Sequence, residues 1–180
     1  AEVFDETVEQ GEFASTVSLI KALSWLVTQQ VSVINISLAG PPNRLLETAL
    51  ARVRERDVIA VAAAGNGGPM AQPMYPAAYP QVVAVTATDA RGRAFRLANR
   101  GEYVDIAAPG VNVRHAQAGG GYAASSGTSY AVPFVTVAVA RLLSVNTEPA
   151  AMLDALYASA VDVGAPGRDQ IYGYGQLQFQ

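Results

Sequence analysis

Val58-Ile59-Ala60-Val61-Ala62-Ala63-Ala64 is an unbroken run of seven apolar residues. A strand with one face in water alternates apolar and polar side chains, whereas a strand covered on both faces does not. The run stops at Gly65-Asn66-Gly67-Gly68-Pro69, a turn signal. This stretch therefore predicts an interior strand of a parallel sheet with helices packed on both sides.

The flanking sequence agrees. Val31 to Leu38 (VSVINISL) and Gln81 to Thr88 (QVVAVTAT) are further buried strands, rich in β-branched residues, and Tyr103 to Ala107 is a short fourth. Helical periodicity fills the gaps. Ser15 to Gln30 carries Thr16, Ile20, Leu23 and Val27 on one stripe. Arg44 to Arg56 carries Leu46, Ala49, Leu50 and Val53, with Asn43 placed to cap it after Pro41-Pro42. Tyr130 to Ser144 is apolar nearly all round and reads as a buried central helix, with Pro133 in its first turn. A last helix covers Pro149 to Ser159, Ala1 to Phe4 is extended, and Gly119-Gly120-Gly121 is a flexible loop. The expected fold is α/β, a three-layer, mostly parallel twisted sheet with helices on both faces, in a single domain over 1–180.

Composition narrows the function. The chain has 180 residues, 51% of them hydrophobic and 15% charged, with a net charge of −3. No Lys/Arg block exists to neutralise phosphates, so a nucleic-acid partner is not expected. Zero Cys removes disulfides, thiolate catalysis and Cys-based zinc sites. The longest apolar run, Ala131 to Ala140, is too short to span a bilayer, and the start lacks the basic and apolar regions of a signal peptide. The chain opens on Ala1 rather than Met, which suggests that the coding sequence starts further upstream.

In parallel α/β sheets, ligands bind at the carboxyl ends of the strands. Three unusual segments fall there: Ser37-Leu38-Ala39-Gly40, Gly65-Asn66-Gly67 and Pro109-Gly110. Ser129, in Gly127-Thr128-Ser129-Tyr130-Ala131, opens a buried helix, where unpaired N–H groups and the helix dipole favour an oxyanion. The same position also suits a plain N-cap serine. Asn66 could donate its carboxamide to an oxyanion, or serve only as a turn residue. Ser37 to Gly40 could pair with an extended peptide, or simply lead into the Pro-Pro turn. His115 is the only histidine and reads as a solvated loop residue. Asp57, Asp89 and Asp105 read as surface or capping groups, and no metal-ligand spacing occurs.

Together these segments resemble a known family. Gly127-Thr128-Ser129-Tyr130-Ala131-Val132-Pro133-Phe134-Val135 resembles the nucleophile motif of the subtilisin-like serine peptidases. Val61 to Gly68 resembles their oxyanion-hole segment, and Val33 to Gly40 their substrate-binding strand. Tyr75-Pro76-Ala77-Ala78-Tyr79-Pro80, Ala107-Ala108-Pro109-Gly110 and Gly173-Tyr174-Gly175 follow in the family's order. The resemblance implies that Ser129 is the acyl-forming nucleophile and that Asn66 holds the oxyanion with the Ser129 N–H. Ser37, Leu38, Ala39 and Gly40 would form one wall of the substrate channel and Ala63, Ala64 and Gly65 another, around a roomy apolar pocket.

The family's triad runs Asp, His, Ser. Its Asp-Ser/Thr-Gly and His-Gly-Ser/Thr motifs do not occur here, and His115 matches no triad position. The resemblance therefore implies the C-terminal two-thirds of a serine endopeptidase domain, with the N-terminal strands missing and no activity on its own. Its partners would be a peptide substrate and an N-terminal segment or second chain that completes the sheet. Tyr130, Phe134 and Thr136 depart from the family's usual Met, His and Ala. With the missing base they motivate an alternative, a non-catalytic domain that binds peptides or assembles with a partner. No cofactor is evident. Calcium and a secreted or periplasmic location enter by resemblance alone.

Overall fold

The computed structural model describes residues 3–7, 11–145 and 148–178, with side chains except at 4–7 and 11–13. Ala1 and Glu2 of the extended N-terminal reading lie outside the described residues. From Phe4 the chain forms an antiparallel pair, β1 (Phe4–Thr7) and β2 (Gly11–Ala14).

The central sheet has four parallel strands in sequential order: β3 (Val33–Ile36), β4 (Ile59–Ala63), β5 (Val82–Thr88) and β6 (Ile106–Pro109). Every residue of β4 and β5 is buried, as the unbroken apolar runs require. On one face pack α1 (Thr16–Thr28) and α2 (Arg44–Arg54), which place Leu23, Leu46, Leu50 and Val53 against Ile34, Ala60, Ala62 and Ala84. On the other pack α3 (Thr128–Val145) and α4 (Pro149–Ala158), which bring Val132, Val135, Val139, Met152 and Leu156 against Val61, Val83, Val85 and Ile106. The three layers follow from side chains on alternate faces of each strand finding a helix on either side. Asn43 caps α2 as expected, its Oδ1 accepting the N–H groups of Leu45 and Leu46 at 3.0 and 3.1 Å.

Four local expectations are corrected. The last strand starts at Ile106 rather than Tyr103, because the Asp105 carboxylate turns back to accept the Ala84 N–H at 2.9 Å. Gly119-Gly120-Gly121 is the turn of a hairpin, β7 (Val113–Ala116) with β8 (Tyr122–Ser125), and not a free loop. Its glycines all have positive φ, which a tight reversal needs. The central helix starts two residues early, at Thr128, which moves Pro133 from the first turn into the helix interior. That helix is not buried all round, since Pro133 and Ala140 are exposed and Val137 is 57% exposed. At 18 residues α3 is long and apolar enough to cross a membrane by length and composition. Here its inner stripe instead fills the core between sheet and solvent.

The two edges of the sheet differ. Residues 173–177 lie along β6: Tyr174 N–H donates to Asp105 O at 2.7 Å, Ala107 N–H to Gly175 O at 2.9 Å, and Leu177 N–H to Ala107 O at 2.8 Å. Among the described residues, β3 pairs only with β4. Its free side borders a groove of about 670 Å³ lined by Leu19, Leu23, Leu26, Ile34, Ile36 and Leu38.

Candidate active site

The site lies where the sheet's carboxyl ends meet the start of α3. Gly127 is held there by its N–H, which donates to Gly110 O at 2.8 Å. A side chain on Gly110 would strike Ala87, so the close approach of the two loops requires glycine.

Asn66 caps α3 from the turn that follows β4. Its Oδ1 accepts the Thr128 N–H at 2.9 Å and the Thr128 hydroxyl at 3.0 Å. These bonds decide which end of the amide is oxygen. The Nδ2 end then lies beside Gly127, where a Cβ would stand only 3.2 Å away. Asn66 is exposed, so its NH₂ faces the crevice rather than the core. Thr128 also accepts the Gly65 N–H at 3.2 Å, which ties the start of α3 to the end of β4.

Ser129 is the second residue of α3, so it is not the helix N-cap. Its Oγ donates to the backbone carbonyl of Ser37 at 3.3 Å. Pro133 has a further consequence that the sequence did not make visible. It has no N–H to offer the Ser129 carbonyl four residues earlier. The Ser37 hydroxyl lies 3.1 Å from that carbonyl and 2.7 Å from Asn35 Oδ1. Ser37 and Ser129 thus face each other through both backbone and side chain, across 92 residues of sequence.

Asn99, which sequence reasoning missed, fixes the loop after β4. It is fully buried, and three of its polar groups are bonded: N–H to Gly65 O at 3.0 Å, Oδ1 from Gly67 N–H at 2.7 Å, Nδ2 to Gln72 O at 3.0 Å. Its only sequence signal is an Asn in an Arg-flanked loop. The Tyr103 hydroxyl donates to Ala64 O at 3.0 Å, and burial raises the pKa of this phenol.

The structure thus brings Ser129, Asn66, Ser37 and Gly65 together, with Leu38, Ala39 and Gly40 continuing from Ser37 and Ala63 and Ala64 leading into Gly65. It does not bring His115 in. Nε2 of His115 lies 2.8 Å from Ser125 Oγ, and Nδ1 lies 2.8 Å from the Ala116 carbonyl, both within the β7–β8 hairpin. Its ring packs 5.1 Å from that of Tyr130. This contact gives the bulky Tyr130 a place away from Ser129, and Phe134 packs against the core. Among the described residues no three His, Asp or Glu side chains are grouped to hold a metal.

The candidate site is thus a serine in the first turn of a helix, at the carboxyl ends of a parallel sheet and beside a carboxamide held by Thr128. The chain belongs to the Subtilase family, whose model matches residues 1–175. It is 32% identical to the minor extracellular protease Epr of Bacillus subtilis (strain 168), across 97% of this chain and 28% of that protein. It is also 32% identical to a subtilisin of Bacillus pumilus, across 90% of this chain and 60% of that protein. Among solved structures, the prenylagaramide maturation protease PagA superposes with a TM-score of 0.83 at 30% identity, over 97% of this chain and 67% of that one. A psychrophilic protease, S41, gives a TM-score of 0.84 at 27% identity, over 96% and 66%. The chain thus spans only part of each relative.

Proposed function

We propose that this chain carries the nucleophile and oxyanion-binding half of a serine endopeptidase. In this reading Ser129 Oγ attacks the scissile carbonyl and forms an acyl-enzyme, which water then hydrolyses. Charge developing on the carbonyl oxygen is met by Asn66 Nδ2 and by the Ser129 N–H, which has no acceptor within its helix. The residues from Ser37 to Gly40 and from Ala63 to Gly65 flank the substrate. The observation that carries the reading is the pinned Asn66 amide, whose oxygen is held by Thr128 while its NH₂ is left facing the crevice.

The general base and its carboxylate come from polypeptide outside these residues, because the single histidine is hydrogen-bonded elsewhere. A segment pairing with the free side of β3 would deliver them beside Ser37 and Ser129. The protein then acts on peptides outside the cytoplasm, and the 180 residues alone are inactive.

A second reading has its own support. Ser129 Oγ already has an acceptor in Ser37 O, so the same geometry also suits a peptide-binding domain without catalysis. Kinetics on the gene-encoded protein separate the two. The peptidase reading expects Asn66→Ala to lower kcat by about 10²- to 10³-fold with KM little changed, a magnitude borrowed from the same kind of donor in subtilisin. It expects Ser129→Ala to lose more. Absence of peptide hydrolysis by the unaltered, folded protein would leave the binding reading.

A further inference from the structure

The turn that carries Asn66 is bordered by a positively charged loop. Residues 89–100 hold Arg91, Arg93, Arg96 and Arg100 against one acid, Asp89, in a chain whose net charge is −3. The fold brings this loop to the site. Gly68 N–H donates to Leu97 O at 2.8 Å, Asn99 N–H donates to Gly65 O at 3.0 Å, and Asn99 Oδ1 accepts the Gly67 N–H at 2.7 Å. Leu97 and Asn99 thus clamp the Asn66 turn on both sides. Arg96 precedes the first clamp residue and Arg100 follows the second, so both start from a fixed backbone beside the site.

Neither arginine is paired, although the nearby acids are engaged. Arg93 is bound by Asp89 at 2.7 Å and Arg168 by Asp105 at 2.9 Å. Glu102, the acid closest in sequence to Arg100, accepts from Gln170 Nε2 at 2.6 Å. Among the described residues neither Arg96 nor Arg100 has an ion-pair partner; Arg96 is exposed and Arg100 partly so. Cations at the rim of a crevice raise the local concentration of anionic ligands, and a guanidinium fork matches a carboxylate in shape. We propose that Arg96 and Arg100 are specificity-determining residues that favour peptide substrates with an Asp or Glu side chain near the scissile bond. This rests on the peptidase reading and adds a charge preference to it.

The experiment measures kcat/KM of the gene-encoded protein on peptides that differ in one residue, Glu against Gln, placed in turn at the three positions on either side of the cleaved bond. At low salt we expect a Glu/Gln ratio of about 5 for at least one position, the upper scale of an exposed charge pair, falling toward unity at high salt. Arg96→Gln combined with Arg100→Gln removes the preference. Lys at both positions keeps most of it, which a merely structural role of the two residues would not. Arg91→Gln, in the Asp89–Arg93 turn and away from the clamp, leaves the ratio nearly unchanged. A ratio near unity at every position, or an unchanged ratio in the folded double variant, overturns the inference. If nothing is hydrolysed, the peptidase reading fails, and fluorescence polarisation of the same peptides, labelled, decides. Tighter binding of a Glu peptide that is lost in the double variant upholds the two arginines; equal binding of Glu and Gln peptides overturns them. A labelled single-stranded oligonucleotide bound more tightly than the Glu peptide, and released by the same double variant, would make the loop a nucleic-acid contact and also overturn the inference.

Discussion

The two edges of the central sheet are made from similar strands and have different fates. β6 is covered by residues 173–177, which satisfy its outer backbone groups and add Leu177 to the core. The cover is anchored by side chains. Arg168 donates to Asp105 Oδ1 at 2.9 Å and lies over the Tyr174 ring, which stacks on Tyr157 with centroids 4.3 Å apart. β3 has no such cover among the described residues, and an apolar groove runs along it. An uncovered edge beside apolar surface is poorly tolerated in a stable protein. The difference teaches which edge bears on the candidate site: the open edge is the one that leads into Ser37, and Ser37 contacts Ser129.

The largest expected effect is at the open edge. The 180 residues expressed alone should melt broadly and at least about 10 °C below the gene-encoded protein, since several kcal/mol of strand pairing and apolar burial are withheld. Calorimetry on both proteins checks this. A sharp melt of the isolated chain at the same temperature would mean that β3 needs no cover.

The sealed edge should respond to pH. Burial raises the Asp105 carboxyl from its ordinary 3.8 to about 6, against the lowering influence of the Ala84 N–H and Arg168. The folded form therefore holds this proton more tightly than the unfolded chain. That contribution is fully present below about pH 4 and is lost as the pH rises through about 6. In the gene-encoded protein, Asp105→Asn should shrink the fall in unfolding free energy between pH 4 and pH 7 by about 2 kcal/mol. Urea titrations of both variants at the two pH values measure it. An unchanged fall would show that the proton on Asp105 is not coupled to the folded edge.

Much of this organisation was legible in sequence because it rests on local signals. The unbroken run Val58 to Ala64 announced a two-sided sheet, and the Leu46, Leu50 and Val53 stripe after Asn43 announced α2. What was not legible depends on contacts between distant residues. Asp105 looks like a surface carboxylate until β5 places the Ala84 N–H beside it. Asn99 has no motif, and its role exists only once Gly65, Gly67 and Gln72 surround it. The triple glycine reads as slack chain because the hairpin's pairing lies in Val113 to Ala116 and Tyr122 to Ser125, where the alternation is weak. For the site, the motifs led to Ser129 and Asn66. The mutual contact of Ser37 and Ser129 followed only from the fold.

The central claim is that Ser129 becomes a nucleophile only when polypeptide beyond these residues supplies its base. The most direct test is intact-mass spectrometry after treatment with a fluorophosphonate, applied to the gene-encoded protein, its Ser129→Ala variant and the 180 residues alone. We expect one adduct per molecule on the first and none on the other two. No adduct on the folded gene-encoded protein would make Ser129 an unactivated serine, and equal labelling of the isolated chain would place the base within it; either result contradicts the account.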